Sequence, residues 1–474
     1  MDRGNQLIIV SNRLPVQIEK NADASLTLKP SSGGLVTAVQ PVAKQTDARW
    51  MGFLGFELNP DLQRQLEAQG FEAIELSEEL YEPYYSGYCN ATLWPLMHYF
   101  TQTATFDHST WDAYLRINQQ FAEAIAQKAP LDARVWVHDY HLMVLPSLLK
   151  RLRPDLFISY FHHIPFPAPD VFTMLPQAAT IVDSLAQCDH VGFHTQNYAD
   201  NFKAATGQLM NAKVTPLGIR HMGHTTLVSA HPISIDFDEF DQLSRNEIAN
   251  PELQCLAASE YKIVLGVDRM DYTKGIKERL EGFRHFLQHN PEWVGKIILL
   301  QICVPSRNDV PSYRRLRQKI EQLVGEINGE FGTPDYTPIH YFFQSVPRPD
   351  LVAMYKIADT MLVTSLRDGM NLVSKEYIAA NSHERGVLIL SKFAGSALEL
   401  KDALFVNPYD SRNISESLRE ALNMPITQRR QRMVKLRKVV REGNQRRWCQ
   451  GIFQQWAKAG ALKRVKPQSL QSVS

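Results

Sequence analysis

Thr360-Met-Leu-Val-Thr-Ser-Leu-Arg-Asp-Gly-Met-Asn-Leu-Val-Ser-Lys-Glu376 is the stretch from which the fold is read. Thr360 to Ser365 is apolar enough for a buried strand, and the residues that follow open what reads as a helix. Between them Gly369 predicts a tight turn. A strand, a turn and a helix N-terminus present unpaired backbone N–H groups and the positive end of a helix dipole, an arrangement that suits a phosphate. A carboxylate beside a phosphate is repelled, so Asp368 reads as facing uncharged hydroxyls, as on a sugar. Glu376, further into the helix, could accept hydrogen bonds from a ribose. The bland alternative is an ordinary turn with Asp368 as the N-cap.

Working outward, short apolar runs alternate with amphipathic stretches almost throughout. Candidate strands in the first half are Leu7–Val10, Val135–Val137, Phe157–Phe161, Val191–Phe193 and Thr225–Val228. In the second half they are Ile263–Val267, Ile297–Ile302, His340–Phe343, Met361–Thr364, Val387–Leu390 and Leu404–Val406. Runs that are apolar on both faces and separated by helical patterns indicate parallel sheets covered by helices. Two such series predict two doubly wound domains with ligands at the carboxyl ends of the strands. The polar segment Asp236–Glu260 marks the boundary. We place one domain at 1–238, a second at 239–444, and a C-terminal helix, about 445–474, packing back on the first.

The 474 residues exceed one ordinary core, on the rough prior of ~150 residues per domain. Lys+Arg 51 against Asp+Glu 50 gives +1, which suggests neither a nucleic-acid nor a membrane partner. No apolar run reaches the ~18 residues of a membrane span, and the N-terminus carries no signal-peptide pattern. Five scattered cysteines without C-x-x-C spacing fit free thiols in a reducing cytoplasm. The basic stretch Arg429–Arg447 carries Met433, Leu436 and Val440 at helical spacing, so it reads as a surface helix with a solvated basic face.

Six further constellations sit near predicted strand ends, in loops or in the expected linker. Ser11-Asn12-Arg13 follows the first strand, with Ser31-Ser32-Gly33-Gly34-Leu35 beyond it; a Gly-Gly pair admits close backbone approach, but the dinucleotide fingerprint is absent. Tyr84-Tyr85-Ser86-Gly87-Tyr88 through Trp94 is dense in aromatics, read as core or as flat faces for a sugar. His138-Asp139-Tyr140-His141 and His162-His163 read as polar side chains raised above a sheet edge toward substrate hydroxyls; their spacing does not favour a metal. Asp268-Arg269-Met270-Asp271-Tyr272-Thr273-Lys274-Gly275 brings a guanidinium and an ammonium to one loop, where both could hold a diphosphate or else bridge to Asp268 or Asp271. Ser306-Arg307-Asn308-Asp309 offers a second phosphate ligand. Asp236-Phe237-Asp238 matches a metal-binding D-x-D, but the pattern is common by chance and lies in the expected linker.

Together, in this order and from about Leu7 to Gln450, these segments resemble the trehalose-6-phosphate synthases. The resemblance implies an α/β fold of GT-B architecture, with two facing Rossmann-like domains, parallel sheets and an interdomain active-site cleft. It implies transfer of glucose from UDP-glucose to glucose 6-phosphate with retention, by a front-face mechanism without metal or cofactor. By that resemblance Arg13, Tyr85 and Arg307 bind the acceptor phosphate, Trp94 and Asp139 contact the acceptor sugar, and Gly34 lies in a loop closing over it. Arg269 and Lys274 hold the diphosphate, His163 and Asp368 contact the donor glucose, and Glu376 the ribose. Backbone N–H groups near Asn371, Leu372 and Val373 meet the distal phosphate. A cytoplasmic homo-oligomer serving trehalose synthesis and osmoprotection is expected, with no nucleic-acid or membrane partner.

Two departures bear on the acceptor. The synthases usually carry Pro-Ile-Gly-Ile-Asp-Pro where this chain has Pro232-Ile233-Ser234-Ile235-Asp236-Phe237. The His162-His163 pair and Gly192-Phe-His-Thr195 also resemble glucosylglycerol-phosphate synthases, which use glycerol 3-phosphate. A relative joining a cyclitol through nitrogen, and a non-catalytic sugar-phosphate sensor, are the further alternatives. A sensor would be expected to lose some of Arg269, Lys274, Asp368 and Glu376, and all four are present.

Overall fold

A computed structural model describes residues 6–20, 26–31, 33–307 and 310–464. The chain divides into two compact units, one running to Pro232 and resuming at Arg446, the other spanning Ile233–Gln445. The first crossing thus lies a few residues ahead of the 238/239 boundary drawn from the sequence. The polar segment expected there instead forms the helices Phe237–Arg245 and Pro251–Ala258 of the second unit.

The first unit holds β1 (Leu7–Arg13), β2 (Val16–Lys20), β3 (Leu26–Pro30), β4 (Arg49–Phe53), β5 (Phe71–Ile74), β6 (Arg134–His138), β7 (Phe157–Phe161), β8 (His190–Phe193), β9 (Lys213–Thr215), β10 (Gly218–His221) and β11 (His224–Ala230). Nine of these form one sheet in the order β5-β4-β1-β6-β7-β8-β11-β10-β9, while β2 and β3 pair as a separate hairpin. The sheet is parallel except at β9 and β10, which run antiparallel at one edge. Parallel sheets were expected and are found; the antiparallel edge and the hairpin had not been read from the sequence.

The second unit holds β12 (Lys262–Arg269), β13 (Ile297–Val304), β14 (Ile339–Phe342), β15 (Thr360–Val363), β16 (Val387–Ser391) and β17 (Leu404–Val406), all parallel in the order β14-β13-β12-β15-β16-β17. Counted from its first strand this is the 3-2-1-4-5-6 order of doubly wound dinucleotide-binding sheets, and β5-β4-β1-β6-β7-β8 repeats it in the first unit. The continuous apolar runs have a physical cause, since both faces of the sheet are covered. Leu265, Val267, Met361 and Val363 pack into a core on one face, and Val264, Leu299 and Leu362 into a core on the other.

In such sheets ligands bind at the carboxyl ends of the strands where the order reverses. That point lies between β1 and β6 in the first unit and between β12 and β15 in the second. The basic helix Ile426–Glu442 buries Met433, Leu436 and Val440 as expected, but its basic face is not wholly solvated. Arg429 and Arg437 are buried as well. Arg429 donates to the carbonyls of Ala421, Leu422 and Met424, and Arg437 to those of Ile378 and Ala379, so each satisfies the last carbonyls of a neighbouring helix. Among the described residues no helix is long and apolar enough to cross a membrane. The five cysteines are free.

Candidate functional site

In the second unit two loops meet at the switch point. The loop after β12 winds through a short helical turn, Tyr272–Lys274, and enters the helix Ile276–His289 at Gly275. Gly275 has φ of +62°, and a Cβ there would lie 2.0 Å from the Thr364 carbonyl oxygen at the end of β15. Only glycine lets the two loops close to this distance. Leu366 N–H donates to Thr273 O (2.8 Å) and Thr364 Oγ1 to Gly275 O (2.8 Å), fastening the contact.

This fastening brings Lys274 Nζ within 2.7 Å of Asp368 Oδ2. The same oxygen accepts from Asn371 Nδ2 (3.1 Å) and Ser365 Oγ (3.3 Å), and Oδ1 from Met370 N–H (3.4 Å). Asp368 is therefore not the helix cap. The helix Leu372–Ala380 is capped by Asn371, which stands at φ +75° and accepts from Ser374 N–H at 2.9 Å. The tight turn read at Gly369 thus carries its left-handed residue at Asn371, a residue type that tolerates it. Beyond that cap, the N–H groups of Leu372 and Val373 find no acceptor among the described residues. Gly395 packs so closely that a Cβ would sit 2.1 Å from Gly369 O, and Ser396 N–H donates to Met370 O (2.8 Å), so the loop after β16 braces this turn.

Arg269 is exposed at the end of β12. Arg307 sits across from it on the loop after β13, where Asn308 and Asp309 lie outside the described residues. Asp271 Oδ2 accepts from Arg307 Nη1 (3.2 Å) and Tyr313 OH (3.1 Å), and its Oδ1 from Thr273 N–H (3.0 Å) and Oγ1 (2.9 Å). Burial opposes ionisation of Asp271, but Arg307, Arg269 and Lys274 outweigh it and hold the carboxyl below its ordinary range. Asp268, by contrast, is pushed up by burial despite its ion pair with Arg279 (2.6 Å), a guanidinium 0% exposed that also donates to Gln301. Asp268 and Arg279 form a strut beneath the loop, and the sequence reading missed Arg279. Glu376, half-buried one turn into its helix, accepts from Tyr355 OH (2.9 Å), and burial raises its pKa.

In the first unit the equivalent point lies after β1 and β6. Of Ser11-Asn12-Arg13, only the last is presented. Ser11 Oγ takes the Trp50 indole N–H (2.8 Å) and Asn12 Oδ1 the Tyr84 hydroxyl (2.9 Å). Arg13 donates from Nε to Tyr81 OH (3.0 Å) and stands 5.5 Å from the Tyr85 ring, which is itself stacked between Tyr81 and His141. Tyr81 was missed, although it lies three and four residues before the aromatic pair that drew attention. The aromatic block is a π-helical stretch, Pro83–Leu93, leading into the short helix Trp94–Met97. Long π-wound segments are rare and concentrate at functional sites. Trp94 is 4% exposed and packs on His98 and Tyr140. Gly34, exposed, opens the helix Gly34–Thr46 two residues after Ser32, which lies outside the described residues.

Asp139 follows β6 at φ +75°, a strained position. Its Oδ1 accepts from the N–H groups of Tyr140 (3.0 Å) and His163 (3.3 Å), joining the ends of β6 and β7. The histidines do not all rise above the sheet edge as expected. His163 is half-buried, whereas His138 and His162 are fully buried. His162 is bonded at both nitrogens, to Tyr160 OH (3.0 Å) and Pro165 O (3.3 Å). Asp236 of the D-x-D caps a helix by accepting from Glu239 N–H (3.2 Å) and takes Gln445 Nε2 on its other oxygen (3.1 Å). Among the described residues no group of three His, Cys, Asp or Glu could hold a metal ion.

Residues 5–458 match the model of glycosyltransferase family 20. The chain belongs to that family. It is 39% identical over 473 residues to a UDP-forming alpha,alpha-trehalose-phosphate synthase of Candida albicans, covering 97% of this chain and 99% of the relative. It is also 39% identical over 450 residues to the 56 kDa subunit of the Saccharomyces cerevisiae synthase, covering 92% of this chain and 91% of that one. Among solved structures, the Burkholderia xenovorans synthase in complex with glucose 6-phosphate superposes with a TM-score of 0.86 at 34% identity, covering 95% and 99% of the two chains. An Escherichia coli structure bound with UDP-2-fluoro glucose gives 0.87 at 32% identity, covering 98% and 100%. With these relatives, the α/β chain of this family-20 glycosyltransferase has the GT-B architecture.

Proposed function

We propose that this family-20 glycosyltransferase is a retaining glucosyltransferase that moves glucose from UDP-glucose to glucose 6-phosphate, giving alpha,alpha-trehalose 6-phosphate and UDP. The observation that carries the reading is the cluster at the β12/β15 switch point: Lys274, Asp368 and the open N–H groups of Leu372 and Val373. It occurs in a chain similar along nearly its whole length to UDP-forming synthases.

In this reading Arg269 and Lys274 hold the diphosphate, with the N–H groups near Asn371, Leu372 and Val373 on the distal phosphate and Glu376 on the ribose. Asp368 and His163 contact the donor glucose. Arg13, Tyr85 and Arg307 bind the acceptor phosphate, and Asp139 and Trp94 its sugar, with Gly34 in a covering loop. The acceptor's anomeric hydroxyl oxygen forms the new bond to the donor C1 on the face the leaving group vacates. The C1–O bond to the β-phosphate breaks, and a phosphate oxygen takes the hydroxyl proton as UDP departs. Lys274 and Arg269 neutralise the charge that develops on the diphosphate, a preorganised electrostatic aid. A double displacement would need a carboxylate free to attack. Asp368 is poorly suited, because both of its oxygens already accept hydrogen bonds and one is ion-paired.

Neither departure favours glycerol 3-phosphate. His162 is buried with both nitrogens bonded, and Ser234 is buried within the second unit. Phe237 opens a helix and packs under Arg437 and Arg441 at 5.1 and 4.5 Å. A cytoplasmic homo-oligomer acting in osmoprotection, without metal or cofactor, completes the proposal. The test is UDP release from UDP-glucose with glucose 6-phosphate or glycerol 3-phosphate, the product identified by mass after phosphatase treatment. A disaccharide formed with glucose 6-phosphate alone is expected. Release with glycerol 3-phosphate alone refutes the acceptor, and no release with either refutes the reaction.

A further inference from the structure

His138 ends β6, His163 follows β7, and their rings meet through one hydrogen bond, His138 Nδ1 to His163 Nε2 at 3.0 Å. Both rings are neutral. Burial drives the His138 pKa down to about 3, and burial followed by the His138, His194 and His162 imidazoles pushes His163 well below its usual range. A neutral pair shares a single proton across the contact, so one ring donates and the other accepts.

The far edge of His138 decides which. Its Nε2 is buried and meets no partner among the described residues. The ring packs on Trp136 at 4.5 Å between centroids, and Trp136 packs on Trp448 (5.5 Å) and Trp456 (5.3 Å). The indole N–H groups of all three are likewise buried without a partner. A proton on His138 Nε2 would add a fourth orphaned donor to this cluster. A lone pair there is complementary to the donors around it, and an unmet acceptor is the more readily tolerated of the two.

We propose that His138 is a positioning residue that donates from Nδ1 to His163 Nε2 and thereby holds His163 as its Nδ1–H tautomer, with an N–H donor at its half-exposed edge. That nitrogen bonds to no described residue. Free imidazole side chains prefer the other tautomer, so the fold imposes this one. With the His163 N–H of the main chain fixed by Asp139, both the position and the polarity of the residue are set from the end of β6. An N–H donor suits a sugar oxygen and adds no charge beside the departing phosphate. This inference rests on the reading of His163 as a contact to the donor glucose.

The experiment is ¹⁵N NMR of the histidine-labelled, substrate-free protein, with kinetics on variants. His163 should read as Nδ1–H in the unaltered protein and revert to Nε2–H in His138→Phe, which keeps a ring and removes the donor. In His138→Phe kcat should fall on the order of 10- to 100-fold with the KM for glucose 6-phosphate little changed. His138→Asn, whose amide nitrogen reaches the place of Nδ1, should restore most of the loss. In a His163→Ala background His138→Phe should cost nothing more, the non-additivity of two residues acting as one. Finding His163 as Nε2–H in the unaltered protein overturns the proposal, and this holds even if His138→Phe does not fold. Fully additive losses overturn it too. If the tautomer is as stated and switches, but His163→Ala turns over normally, the positioning stands and the reading of His163 as a glucose contact falls.

Discussion

Acidification should unfold the first unit through its buried histidines. His138, His162 and His190 are each 0% exposed, and burial lowers the pKa of each to about 3. An unfolded histidine titrates near 6.5. Between those values the unfolded chain binds protons that the native one refuses, so stability is full above pH ~6.5, declines as pH falls, and this contribution is gone by about pH 3. At about pH 5 each residue is ~1.5 pH units below its unfolded pKa, which at ~1.4 kcal/mol per unit costs about 2 kcal/mol, or about 6 kcal/mol for the three. That is comparable to the whole stability of an ordinary domain. Six of the seven tryptophans lie in the first unit and only Trp293 in the second, so intrinsic fluorescence reports on the first. Urea unfolding followed by fluorescence should therefore lose stability steeply from about pH 7 to about pH 5. His190 isolates one contribution, since it bonds Ser159 Oγ (3.0 Å) and Ser229 Oγ (2.7 Å) and takes no part in the proposed chemistry. His190→Gln should lose about 2 kcal/mol less over that interval than the unaltered protein. Parallel pH profiles would refute the reasoning, because they would mean that His190 is protonated as readily in the fold as out of it.

Three perturbations test the second unit. Lys274→Ala removes a cation from the proposed diphosphate site and should lower kcat on the order of 10²- to 10³-fold; near-normal turnover would sink its role in leaving-group departure. Asp271→Asn removes the carboxylate charge paired with Arg307 and should raise the KM for glucose 6-phosphate about tenfold, a loss of about 1.4 kcal/mol of binding, while that for UDP-glucose changes less; equal effects on both would count against Arg307 as an acceptor ligand. Gly275→Ala forces a side chain into the left-handed region and against the Thr364 carbonyl, so thermal denaturation should show a loss of more than ~1 kcal/mol, and unchanged stability would show that the two loops can part freely.

How far the sequence could be read depended on whether a residue's role was local or set by strand order. Strands such as Ile263–Val267 and Phe157–Phe161 announced themselves because both faces are buried and every position can be apolar. β4 and β5 did not: Arg49-Trp-Met-Gly-Phe53 opens on a charge and carries a glycine, and Phe71-Glu-Ala-Ile74 is four residues long with a charge inside it. The turn before the helix Leu372–Ala380 was legible as a turn, yet its left-handed residue is Asn371, while the carbonyl of Gly369 lies against Gly395, the position where a side chain could not fit. His162 and His163 both lie just past the end of β7, and what buries His162 is its closure onto the Tyr160 hydroxyl and the Pro165 carbonyl, which the pair's spacing does not reveal. The pairing of Lys274 with Asp368 is of another kind. These residues are 94 positions apart, and nothing local in either loop names the other. They meet because β15 inserts beside β12 where the strand order reverses, which also explains why one loop supplies the cation and the other the helix N-terminus. Each loop alone reads equally well as a surface turn; it is the reversal that brings the two turns together into one cluster, the one proposed here to face a phosphate.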